Sequence, residues 1–146
     1  MTEPITKFRG QYGWLSNFSP AKVWLCGFDY PTVEHAYQAS KMRDHEWQMQ
    51  IRHRPSPIDA KEMGKCCDLR PDWEEIKLTV MEYFLRQKFH IPYLKAKLLA
   101  TGDAEIIEGN EWGDTYWGVC RGQGENHLGI LLMQVREELR KEHGNV

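Results

Sequence analysis

Gly113-Asp114-Thr115-Tyr116-Trp117-Gly118 sets a carboxylate among aromatic rings, and Gly122-Gln123-Gly124-Glu125-Asn126 follows as a glycine-rich loop ahead of a strongly patterned helix. A hydrophobic core requires none of this chemistry. A pocket for a ribosylated, phosphorylated ligand could use all of it. Cleaving a ribosyl C–N bond passes through a transition state resembling an oxocarbenium ion, which a fixed carboxylate stabilises. A second group must activate water or handle the proton on the departing base. The competing reading of Asp114 is a turn residue whose side chain only satisfies backbone donors.

The second constellation is Thr32-Val33-Glu34-His35-Ala36-Tyr37-Gln38-Ala39-Ser40-Lys41. Helical spacing puts Glu34, Gln38 and Lys41 on one face, where a carboxylate, an amide and an ammonium could orient a ligand and a water. Taken from spacing alone, Glu34 reads better as a complement to the helix N-terminus, worth about 0.3–1 kcal/mol. The Gly122-Gln123-Gly124 loop could receive a phosphate on backbone N–H groups, although Glu125 would repel it. Asn126 reads as a helix cap, and Arg70 and Lys88 as phosphate partners or members of exposed ion pairs. Trp73 lies on an apolar helical stripe and reads as core, whereas Trp117 is the better stacking surface.

Elements must hold these residues in place. Lys22 to Cys26 reads as an extended piece, and Gly27-Phe28-Asp29-Tyr30-Pro31 as a turn leading into a helix over roughly Val33 to Met42, with Thr32 as N-cap. Ser56 or the turn after it starts a short helix through Ala60 and Met63. Asp72 and Glu75 form a capping-box-like pair. From there Trp73, Ile76, Val80, Tyr83 and Phe84 recur at helical spacing to about Phe89. Pro92 opens a further helix closed by Gly102. Glu105 to Glu108 and Thr115 to Cys120 read as short strands or extended loops. Leu128, Leu131, Leu132, Val135 and Leu139 make one apolar stripe on the last helix, with Glu137 and Lys141 paired on its wet side. The fold expected is α+β: a mostly helical single domain over residues 1–146 with a small, irregular antiparallel sheet component.

The 146 residues carry a net charge of −2, so no basic surplus argues for a nucleic-acid backbone as partner. No apolar run approaches the ~20 residues that cross a bilayer, and no membrane partner is expected. Nothing at Met1 resembles a secretory signal, and Cys26, Cys66, Cys67 and Cys120 do not form a disulfide framework. These features point to a cytoplasmic protein with reduced thiols. The six histidines are scattered without metal-ligand spacing, so neither a metal nor another cofactor is expected.

Four ordered segments together resemble the NADAR family, also called YbiA-like. Tyr12-Gly13-Trp14-Leu15-Ser16-Asn17-Phe18 is similar to its opening LSNF element. Tyr30-Pro31-Thr32-Val33-Glu34-His35, with Gln38 and Lys41, is similar to its TvEH helix. Leu69-Arg70-Pro71-Asp72-Trp73, with Lys77, Met81 and Lys88-Phe89, follows a third segment. Asp114 to Gly118, Gly122, Gly124, Asn126, Leu128-Gly129, Leu132-Met133 and Arg136 follow the ending. The resemblance implies an N-glycosidase acting on a small-molecule ribosyl-phosphate or ADP-ribosyl substrate. Ribosylaminopyrimidine phosphates of the riboflavin pathway are one class and ADP-ribosylated guanine bases, including those in nucleic acid, another. It implies Glu34 and Asp114 as the catalytic carboxylates and Asn17, Lys41, Arg70 and Asn126 as holders of ribose hydroxyls or phosphate. Trp73 and Trp117 would wall the base. A module that binds ADP-ribose or NAD without turnover is the alternative.

Overall fold

A computed structural model describes residues 2–144. The fold is α+β and mostly helical, and it resolves into two compact units: Asn17–Lys88, and the described residues on either side of that segment.

In the first unit a hairpin precedes four helices. Strand β1 (Val23–Leu25) pairs antiparallel with β2 (Phe28–Tyr30), Val23 facing Tyr30 and Leu25 facing Phe28. Cys26 and Gly27 both take positive φ, 51° and 85°, as a two-residue hairpin turn demands. Residues 28–30 are therefore a strand, not the helix-leading turn expected from the sequence. Cys replaces the Asn or Asp that usually announces such a turn, so the local signal was weak. Helix α1 (Val33–Ala39) follows, and Thr32 caps it by accepting a hydrogen bond from His35 N. It ends three residues short of the expected Met42. Helix α2 (His45–Arg52) was not foreseen; Asp44 caps it, accepting from Glu46 N at 2.9 Å. Its polar composition conceals its periodicity, and Arg52 anchors it to β2 through the carbonyl and carboxylate of Asp29. Helix α3 (Pro57–Gly64) starts at Ser56, as expected, with proline in its first turn.

Helix α4 (Trp73–Lys88) buries Trp73, Met81, Phe84, Leu85 and Lys88. Tyr83 is exposed and Ile76 and Val80 are half-buried, so the buried stripe is rotated from the one the apolar residues suggest. Asp72 does not close a capping box with its carboxylate, which Arg70 and Arg43 hold instead. Near the other end of α4, the Gln87 amide donates to Trp24 O at 2.9 Å and accepts from Trp24 N at 2.7 Å. That satisfies an outer edge of β1 that would otherwise lie open.

The second unit holds a 3-10 turn (Gly10–Leu15), α5 (Pro92–Ala100), β3 (Gly109–Asn110), β4 (Val119–Cys120) and α6 (His127–Gly144). The β3–β4 pair is parallel, and antiparallel pairing is made by the β1–β2 hairpin and an isolated Cys120–Gln123 bridge. All five leucine and valine positions of the expected α6 stripe are buried. Arg136 is buried with them because its guanidinium donates to Thr101 Oγ1 and Ala104 O. Glu137 pairs with Arg140 at 3.3 Å rather than with Lys141. No helix among the described residues is long and apolar enough to cross a membrane.

Candidate active site

Every residue of α1 is buried, although three of its seven side chains are polar or charged. Burying such a helix is costly unless its polar groups find partners. His35 finds two: Nε2 donates to Arg54 O at 3.0 Å, which leaves Nδ1 to accept from the Thr32 hydroxyl at 2.8 Å. Burial lowers its pKa, so the ring stays neutral and acts as a strut. Glu34 accepts a 2.8 Å hydrogen bond from Gln38 Nε2, one turn along the helix. Its own N–H donates to Asn17 O at 3.1 Å, giving a first-turn amide an acceptor from a loop 17 residues earlier.

Asn17 is buried as well. Its Nδ2 lies 3.4 Å from Met81 Sδ, and its Oδ1 has no donor among the described residues. Lys41, just past α1, places its ammonium 5.8 Å from the centre of the Tyr37 ring. Burial pushes its pKa down, while Coulombic interaction with Cys67 and Glu34 pulls it back up. Segment 17–18 and helix α1 thus bring a buried carboxylate, an amide acceptor and an ammonium into one unit. Arg70 enters through its backbone, donating to Lys41 O at 2.9 Å. Its guanidinium is locked on Asp72 at 2.6 and 3.0 Å and holds that carboxyl below its ordinary range. Arg70, Arg43 and Ser40 line a cavity of about 380 Å³.

Trp73 is only 4% exposed and packs on Tyr37 with ring centres 5.2 Å apart. This is the core position its helical stripe suggested. Trp73→Ala should cost about 3–5 kcal/mol of stability, read as a loss in urea midpoint; a shift below about 1 kcal/mol would show that the ring is not structural.

In the other unit, Asp114 Oδ1 accepts from Tyr116 N at 3.1 Å and Trp117 N at 2.9 Å. Asn110 clamps the same residue, accepting from Asp114 N and donating to Asp114 O. The carboxylate therefore fixes the backbone that carries the Trp117 ring, which stands edge-on to Tyr116 with centres 4.9 Å apart. Gly118 follows because a Cβ there would overlap the Glu108 carboxylate and carbonyl. Asn126, at φ 54°, bridges backbone with its side chain: Oδ1 accepts from Glu108 N and Nδ2 donates to Ile106 O. Gly122 lines a cavity of about 390 Å³ with Lys7, Arg9, Glu111 and Arg121.

The sequence model of the NADAR domain matches residues 6–140. The chain belongs to the NADAR family. It is 42% identical to the N-glycosidase YbiA of Escherichia coli K12 over 135 residues, covering 90% of this chain and 84% of that protein. It is 38% identical to the N-glycosidase Npun_R5314 of Nostoc punctiforme, covering 96% and 94% of the two chains. The riboflavin biosynthesis protein VVA0006 of Vibrio vulnificus is 37% identical, and there the match spans 97% of this chain but 40% of the longer relative. An NMR structure of E. coli YbiA superposes with a TM-score of 0.86 at 40% identity, covering 98% of this chain and 89% of that one. Within this NADAR chain, the residues of the TVEH element divide by task. Thr32 and His35 brace the helix, and Glu34 is the one carboxylate that α1 buries.

Proposed function

We propose that this protein is an N-glycosidase that hydrolyses the C–N bond between a phosphorylated ribosyl group and a base. The observation that carries the reading is Glu34, a carboxylate 7% exposed on a fully buried helix, in a chain similar along most of its length to proteins named N-glycosidases. Burying a carboxylate is costly unless its charge is used or compensated. In the reaction, water adds to the anomeric carbon as the C–N bond breaks, and the base departs with a proton. Glu34 serves as an acid–base or charge-stabilising group, and Asp114 as the second carboxylate. Asn17, Lys41, Arg70 and Asn126 bind ribose hydroxyls or phosphate, Trp117 contacts the base, and Trp73 serves from the core by packing on Tyr37. No cofactor takes part. Riboflavin-pathway ribosylaminopyrimidine phosphates are the favoured substrates, because relatives carry that pathway in their names; ADP-ribosylated guanine is the second class. A single NADAR domain over residues 1–146 and a cytoplasmic location belong to the same reading.

The test is product analysis by liquid chromatography and mass spectrometry after incubation with each substrate class. Free base with the matching sugar phosphate is the expected result. Saturable binding without cleavage would overturn the enzyme in favour of a binding module. Asp114→Asn keeps the Oδ1 acceptor that orders the Tyr116–Trp117 backbone and removes the charge. It should lower kcat by about 10²-fold or more, and unaltered kcat would confine Asp114 to its turn. Trp117→Ala should weaken substrate binding by about 1–3 kcal/mol, checked by titration calorimetry; unchanged affinity would take the ring out of the site.

A further inference from the structure

Gln38 is 4% exposed, and the two ends of its amide face different demands. Nε2 donates to Glu34 Oε1 at 2.8 Å, while Oε1 is buried without a donor among the described residues. The room for this amide comes from Gly64, the last residue of α3: a Cβ on Gly64 would overlap Gln38 Oε1 and crowd Cδ and Cγ as well. Gly64 does not have positive φ, so its backbone would accept alanine, and alanine is the better helix former. The three atoms nearest to a Cβ there all belong to the Gln38 side chain.

We infer that Gln38 is the positioning residue of the Glu34 carboxylate and that Gly64 is the seat across which its amide lies. Contacts of α3 with α1 bring the two together. The donated hydrogen bond holds Glu34 Oε1 and orients the carboxylate plane. The unpaired Gln38 Oε1 is the cost of that orientation, since turning the amide would present an oxygen to an ionised carboxylate. The inference rests on the reading of Glu34 as a catalytic group.

A double-mutant cycle separates positioning from packing. Gln38→Leu should lower kcat by about 10²-fold, the scale of a misplaced reacting group, with KM changed less than threefold. Gly64→Ala should produce the same split between kcat and KM by displacing the amide. In a Gln38→Ala background, Gly64→Ala should add no further loss, because its methyl group enters vacated space. Equal losses from Gly64→Ala in both backgrounds would overturn the seat, and full kcat in Gln38→Leu would overturn the positioning role. If instead Glu34→Gln retains turnover, the parent reading fails, an outcome distinct from either. A readout without substrate accompanies the kinetics. The Gln38 side-chain amide protons, assigned in 1H–15N spectra by their absence in Gln38→Leu, should shift in Glu34→Ala and in Gly64→Ala. Unmoved resonances in both variants would overturn the inference even if a variant lost activity through instability.

Discussion

Glu34→Gln should lower turnover by about 10³-fold or more while leaving the protein folded. General acid–base groups contribute about 10²–10⁴-fold, and a group aimed at developing charge about 10²–10³-fold. The substitution preserves volume on a helix with no room for change, and the new side-chain carbonyl can still accept from Gln38 Nε2. What disappears is the charge. That loss reaches Lys41, whose pKa burial pushes down and Coulombic interaction with Glu34 helps to pull back up. The variant should therefore lose both an anion and part of the reason that Lys41 stays charged. Single-turnover kinetics beside thermal unfolding make the measurement. Retained turnover, or a collapse in melting temperature of more than about 10 °C, would sink the assignment of Glu34 as catalytic rather than structural.

Stability should rise with pH between about 7 and 10.5, and Lys88→Met should remove most of that slope. Lys88 is fully buried at the end of α4, with its Nζ donating to Ser19 Oγ at 2.9 Å. Burial pushes its pKa down from the ordinary 10.5 to about 7. The folded chain therefore gives up this proton near pH 7, while the unfolded chain keeps it to about 10.5. Across that window the unfolded state binds more protons, so the free energy of unfolding climbs with pH and the penalty is fully present below it. The span corresponds to roughly a few kcal/mol, at about 1.4 kcal/mol for each pH unit of separation. At pH 7, Lys88→Met should be neutral to stabilising, because an apolar side chain of similar length replaces a buried cation. Urea unfolding at pH 6.5, 8 and 9.5 on both proteins decides it. Parallel slopes would mean that Lys88 does not carry the dependence.

Much of this molecule is legible along the chain. Thr32 and Ser56 announce their helices because an N-cap is a contact within three residues, and the α6 stripe reads directly because its periodicity is strong. Glu34, Gln38 and Lys41 share a face by spacing alone, and the structure gives the first two a hydrogen bond. The β1–β2 hairpin escaped because a Cys occupies the first turn position, and α2 because its residues are mostly polar.

The sequence by itself determined the family, since ordered motifs survive any ignorance of folding. It also determined most helix starts, which depend on local capping. Tertiary structure alone decided what the residues do to one another. Lys88 meets Ser19 across 69 positions, and Trp24 meets Gln87 across 63. Gly64 lies against Gln38, and Asn17 supplies the carbonyl that receives the Glu34 amide. A lysine in the core, a glycine demanded by a distant amide and an apolar stripe turned away from its own tyrosine all leave no periodic trace. The free energy that places them comes from burial and hydrogen bonding between segments far apart in the chain, and local propensity carries no record of it.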